Sequence, residues 1–181
     1  MIFETDRVQG FLLSAEHAPA LHAYYTANAD HLAPWEPVRP PGYHSLDAWT
    51  SRAREFEAEQ ERGVSIRLLA FAPDSAELTG VCFFTNIVRG VFQACNMGYS
   101  IAGEHGGKGL MTEIVGASVD YVFRHLELHR IMANYMPENV RSARVLEKLD
   151  FEKEGLARSY LHIAGEWRDH VLTSRINPLH R

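Results

Sequence analysis

The sequence predicts an α+β fold: one domain, residues 1–181, with a central mixed, mostly antiparallel sheet flanked by helices. Three observations carry the prediction. Residues 65–72, 78–88 and 91–102 are strand-like runs divided by turn signals, the pattern of an antiparallel meander. Two helical patterns, over 107–126 and from Asn139 onward, alternate with later strands, giving the order β-α-β-α-β-β that suits a mixed sheet. At 181 residues and 46% hydrophobic content, the chain is long enough for a substantial core.

Each element has its own warrant. RVQGFLL, residues 7 to 13, reads as a first strand, followed by a helix from about His17 to Ala29. HLAPWEPVRPPG, from residue 31, is too rich in proline to stay helical and is expected to be an ordered loop between two helices. From Ser45 to Arg62, Trp49, Ala53 and Phe56 recur at helical spacing, and the charges between them form a solvated face. An Arg89-Gly90 turn joins the second and third meander strands. The long helix carries Leu110, Ile114, Ala117 and Tyr121 beside Met111, Val115 and Val122 as a core-facing stripe. Arg130 to Met136 reads as a strand ended by Pro137, and the short helix begun by Asn139 turns Ala143, Leu146 and Leu149 inward. Phe151 to Ile163 and Trp167 to Ile176 complete the sheet, with no repeat or flexible linker between elements.

Composition narrows the class. The net charge of −5 argues against a large basic surface for nucleic acid. No apolar run reaches the roughly 18–20 residues of a membrane helix, and MIFETDRVQG lacks a signal peptide's apolar core, so a cytoplasmic enzyme is expected. Cys82 and Cys95 lie on opposite arms of a predicted hairpin, near enough in sequence terms to meet. In a cytosolic chain they read as small buried hydrophobes. No CxxC pair exists, and HLELH lacks the Glu of HExxH, so His125 and His129 complement a helix C-terminus and no metal is expected.

The most informative stretch is NMGYSIAGEHGGKGLM, Asn96 to Met111, where a strand ends in a glycine-dense basic loop that opens the long helix. Backbone N–H groups and the helix dipole bind phosphate there, and the backbone approaches closely only where Cβ atoms are missing. Two nucleotide motifs fail. Gly103 precedes Gly107 by one residue too few for a Walker loop, and Thr112 stands where the last glycine of GxGxxG belongs.

GYSI, GGKGLM, HRIMANYMPEN, RSARVLEKLDF and GEWRDHVL, in that order, resemble the RimJ/RimL branch of the GNAT acetyltransferase superfamily, closest to its ribosomal-protein-alanine N-acetyltransferases of the RimJ type. HLAPWEPVR extends the likeness, which covers essentially the whole chain. The resemblance implies a GNAT-like fold with acetyl-CoA, and no metal, between two strands that splay apart. Its pantetheine arm would pair with the backbone around Ser100, Ile101 and Ala102. Its pyrophosphate would sit on Gly106, Gly107, Lys108, Gly109, Leu110 and Met111. Two positions depart from the superfamily's Q/R-x-x-G-x-G/A pattern: Gly106 replaces Gln or Arg, and Met111 replaces a small residue. Asn139 and Ser142 match the family's Asn-x-x-Ser; Asn139 is equally a good N-cap.

Acetyl transfer needs a neutral amine, a donor for the developing oxyanion and a proton for the departing thiolate. Many superfamily members carry a glutamate in the strand before the loop, where this chain has Asn96. An α-amino group, pKa about 7.7–8.0, needs less help than a lysine near 10.4, which favours an N-terminal acceptor. Glu36 leads as base or amine anchor, ahead of Glu104 and His105. Ser142 leads as the group at the thiolate, with Tyr135 and Tyr160 as alternatives. Trp35, Glu36, Asn96 and Tyr160 are the acceptor-side candidates, and Glu166 to His170 are candidates to hold a peptide. The expected partner is a protein N-terminus, that of a ribosomal protein. A small amine, amino acid or antibiotic acceptor, and an acyl-CoA-binding regulator with little catalysis, are the competing readings. The oligomeric state is open.

Overall fold

The computed structural model describes residues 1–180. Alternation along its middle strands explains the layers. In β3 (Ile66–Phe71) every residue is buried; Ile66, Leu68 and Ala70 face one core, and Leu69 and Phe71 the other. β4 (Leu78–Val88) divides the same way, with Cys82 and Phe84 on one side and Leu78 and Val81 on the other. A sheet with two apolar faces has to be covered twice. Leu21 and Tyr24 of α1 (Ala18–Ala27), Leu32 of α2 (Ala29–Leu32) and Trp49 and Ala53 of α3 (Leu46–Glu61) cover one face. Ile114, Val115, Val119 and Val122 of α4 (Leu110–Leu126) and Leu146 of α5 (Val140–Lys148) cover the other.

The sheet has eight strands. Besides β3 and β4 these are β1 (Phe3–Glu4), β2 (Gln9–Leu12), β5 (Ala94–Ile101), β6 (Arg130–Met132), β7 (Glu152–Ile163) and β8 (Glu166–Ile176), in the order β1-β2-β3-β4-β5-β6-β8-β7. All neighbours are antiparallel except β5 and β6, so the expected mixed, mostly antiparallel sheet is present.

The parallel pair positions the site. β5 and β6 are matched only at Ala94–Arg130, Cys95–Ile131 and Asn96–Met132. Beyond Asn96, β5 continues to Ile101 with a partner on its β4 edge alone. The chain after β6 turns to β8 instead, where Ala133 N–H and Tyr135 N–H donate to the carbonyls of Thr173 and Val171 at 3.0 and 3.2 Å. The sheet therefore splits between these two strands, and α4 and α5 begin beside the split.

Several boundaries differ from expectation. The strand read over 130–136 ends at Met132: beyond it the chain leaves β5, and its ladder with β8 is interrupted where the Thr173 N–H donates to the Asn134 side-chain oxygen, leaving Tyr135 and Val171 as an isolated bridge. The first strand is shorter than residues 7–13, and β1 pairs outside it. Helical backbone persists through Leu32, and a 3₁₀ turn runs over Ala33–Trp35; Pro34 is tolerated because it lies in that turn's first residues, where an N–H has no partner to lose. After β4 the reversal extends to Gln93, since both Gly90 (φ 74°) and Gln93 (φ 46°) take left-handed conformations. Cys82 lies opposite Tyr99, four positions along β5 from Cys95, so the two buried thiols are not matched across the hairpin. Among the described residues no helix is long and apolar enough to cross a membrane.

Candidate active site

The split opens into a cleft of about 740 Å³, inside the roughly 300–1,000 Å³ range of small-molecule sites. One wall is the free edge of β5, including Tyr99, Ser100 and Ile101. The floor is the loop before α4, with Gly106, Gly107, Gly109, Met111 and Thr112. The opposite wall is α5, and the mouth is shaped by His31, Trp35 and Glu36.

Two helix N-termini meet at this cleft, and they are finished differently. α5 is capped: the Asn139 side-chain oxygen accepts the Ser142 N–H at 3.0 Å. α4 is not: its N-cap is Gly109, without a side chain, in the left-handed region at φ 76°. Its first internal bond is Glu113 N–H to Gly109 O at 3.3 Å, leaving the preceding N–H groups free of intrahelical partners. An uncapped N-terminus at the floor of a cleft is an anion site in waiting. Gly107 also has positive φ, 75°, whereas Gly106 is extended at φ −61°.

Cations line the same space. Arg141, Arg144 and Lys148 recur along one face of α5 and line the cleft, and none is paired with a carboxylate among the described residues. In a chain of net charge −5 this is a local reversal of sign. A Cβ built on Gly106 would stand 3.7 Å from an Arg141 guanidinium nitrogen. Arg141 thus occupies the side of the loop left bare by the Gly at 106.

At the deep end, Tyr99 and Ser142 form a pair. The Tyr99 hydroxyl is 2.8 Å from Ser142 Oγ and donates to the Ser142 carbonyl at 3.3 Å. Burial drives the Tyr99 pKa well above that of a free phenol, so the hydroxyl keeps its proton. Ser100 Oγ is 2.9 Å from the Tyr24 hydroxyl, which ties β5 to α1. Glu36, at the mouth, has its pKa raised by burial, partly offset by Arg39. Its backbone carbonyl accepts the Ala164 N–H at 2.9 Å, binding the mouth loop to the tip of the β7–β8 hairpin.

Of the residues selected from sequence, Trp35, Glu36, Ser100, Ile101, Gly106, Gly107, Gly109, Met111, Asn139 and Ser142 line the cleft. Six do not. Ala102 is 4% exposed, and its N–H is taken by the Thr79 carbonyl at 2.9 Å, so it has no donor to offer a pantetheine arm. Leu110 turns into the core beneath α4, and Lys108 is exposed and not among the lining residues. Asn96 sits where β5 and β6 are still paired, short of the opening. Tyr135 is buried in the core, bonded through its backbone to Val171, and is not among the residues that line the cleft. Tyr160 stands on β7, with its hydroxyl 3.4 Å from the Asn134 side-chain amide. His105, the alternative proton acceptor, does line the cleft, but its ring is engaged by Glu77 at 3.0 Å. His125 packs edge-on against Tyr121, and His129 lies beyond the end of α4, near His180.

Residues 12–152 match the model of the acetyltransferase (GNAT) domain. The [ribosomal protein uS5]-alanine N-acetyltransferase of Escherichia coli is 45% identical over 96% of this chain and 90% of its own length. The probable N-acetyltransferase YjcK of Bacillus subtilis is 37% identical, covering 83% of each chain. The crystal structure of ribosomal-protein-S5-alanine acetyltransferase from Vibrio fischeri superposes with a TM-score of 0.93 at 37% identity, covering 97% of this chain and 96% of that one. Mycobacterium smegmatis RimJ, solved in complex with CoA-disulfide, gives 0.85 at 28% identity over 94% and 87% of the two chains. Fold, cleft and sequence agree, and the chain belongs to the GNAT acetyltransferase family.

Proposed function

We propose that this enzyme transfers the acetyl group of acetyl-CoA to the N-terminal α-amine of a ribosomal protein, the N-terminal alanine of uS5. The carrying observation is the 45% identity, over nearly the full length of both chains, to an enzyme of that name. The cleft supports the donor. Its uncapped α4 N-terminus, flanked by Arg141, Arg144 and Lys148, suits the phosphates, and the unpaired edge of β5 at Ser100 and Ile101 suits the amides of a pantetheine arm.

Acetyl-CoA brings an activated thioester carbonyl; the chain supplies placement and protons. Ser142, backed by the Tyr99 hydroxyl, gives a proton to the departing thiolate. Glu36, whose carboxyl pKa is raised by burial, anchors the incoming ammonium or takes its proton at the mouth. An α-amine with a pKa of about 7.7–8.0 is partly neutral already, which lightens the demand on that base.

The test offers acetyl-CoA with three acceptors: a peptide of the uS5 N-terminus beginning with alanine, the same peptide N-blocked with an internal lysine, and small polyamines. Mass spectrometry should find acetate on the free N-terminus alone. Acetylated lysine or polyamine without N-terminal product refutes the reading.

A further inference from the structure

Arg7, in the turn between β1 and β2, lies outside the cleft and carries no role in the chemistry above. Its guanidinium nevertheless contacts the loop before α4, 101 positions away in sequence. Nη1 donates to the Lys108 carbonyl at 3.0 Å, while Nε donates to Glu113 Oε2 at 2.8 Å and Nη2 meets the same oxygen. One planar fork therefore joins the last peptide of the loop to the first turn of α4.

The first contact sets a direction. In a trans peptide the C=O and the following N–H point opposite ways. The Lys108 carbonyl is held outward by Arg7, so the Gly109 N–H is turned inward, where Gly109 lines the cleft. Gly109 is left-handed at φ 76°, with nothing within 4 Å of a Cβ there, and the hydrogen bond to the Lys108 carbonyl comes from Arg7. The second contact sets a charge. Glu113 is in the first turn of α4, one turn from the open N–H groups, where an unpaired carboxylate would repel a phosphate. Arg7 offsets it.

We infer that Arg7 is a positioning residue for pyrophosphate binding: it orients the Lys108–Gly109 peptide towards the cleft and neutralises Glu113 behind it. The inference rests on the acetyl-CoA reading above. It predicts an effect confined to the phosphate end of the donor.

The test compares wild type, Arg7→Ala and Arg7→Lys by calorimetric titration with CoA, and by kinetics with acetyl-CoA and with acetyl-pantetheine, which lacks the pyrophosphate. Arg7→Ala should weaken CoA binding and raise KM for acetyl-CoA about tenfold, as for loss of a charge-assisted contact, with kcat within about twofold. Its kcat/KM with acetyl-pantetheine should match wild type. Arg7→Lys, a point charge without the fork, should fall between, and it carries the comparison alone should Arg7→Ala fail to show a cooperative melt. Equal losses with both donors would make Arg7 a general structural residue and overturn the inference, as would unchanged CoA binding in both variants. Wild type that fails to bind CoA would instead refute the donor assignment, and the inference with it.

Discussion

Replacing single glycines by alanine in the loop before α4 separates conformational strain from crowding. At Gly109 φ is 76° and an added Cβ meets nothing within 4 Å, so the cost is backbone strain alone. A left-handed conformation costs an L-residue roughly 1–2 kcal/mol, against about 0.4–1 kcal/mol recovered from the stiffer unfolded chain. Gly109→Ala should therefore destabilise by about 1 kcal/mol, a fall in Tm of about 2–4 °C for a chain of this size. Gly106 reverses the terms. Its φ of −61° suits any residue, and the added methyl would lie 3.2 Å from the Gly103 carbonyl oxygen, a tight contact that a small shift relieves. Gly106→Ala should leave Tm within about 1–2 °C of wild type, its entropic gain offsetting the crowding. Gly109→Asn should recover part of the loss, because asparagine enters the left-handed region more easily. Differential scanning calorimetry of the three variants without ligand reads the ordering directly. Equal losses at 106 and 109, or a neutral Gly109→Ala, would refute the argument that φ governs this loop.

Three further outcomes are expected. Tyr99→Phe and Ser142→Ala should each lower kcat by about tenfold or more while leaving CoA affinity within a few-fold, and the double variant should be little worse than the single ones, because the two hydroxyls act through one contact at 2.8 Å. Leu146→Ala, at a side chain 1% exposed beneath the helix that carries Ser142, should cost about 2–5 kcal/mol in urea unfolding with an unchanged m-value. Glu36→Gln should stabilise the protein at neutral pH. Burial raises the folded-state pKa of Glu36 above its unfolded value, so the carboxyl's favourable contribution is complete below the unfolded pKa and lost as pH rises through the folded one. The gain over wild type should therefore shrink on acidification; a gain that grows towards low pH contradicts the assignment.

What the sequence conveys follows physical range. β4 appears with its expected limits, Leu78–Val88, because alternation and flanking turns are local properties. The 130–136 strand is overextended because its end depends on where β5 diverges and on the Asn134–Thr173 contact that interrupts the ladder with β8, neither of which a local pattern encodes. The loop before α4 is legible because positive φ at Gly107 and Gly109 favours a residue without a Cβ. Tyr99 is missed for the opposite reason. An aromatic residue in a strand reads as packing, and its contact with Ser142 spans 43 positions. The cleft-facing cations of α5 are hidden likewise, since Arg141, Arg144 and Lys148 on an amphipathic helix look like a solvated face until the split in the sheet turns that face inward.

The bond from Ala164 N–H to the Glu36 carbonyl acts as a latch between two loops that are distant in sequence. A backbone hydrogen bond near solvent contributes a net of about 1 kcal/mol, and it is not alone in holding the two loops, since the Val38 side chain would stand 3.7 Å from a Cβ at Gly165 in the hairpin tip. The hairpin tip thus belongs to the frame of the mouth, whereas the floor and opposite wall of the cleft are built on the start of α4 and on α5.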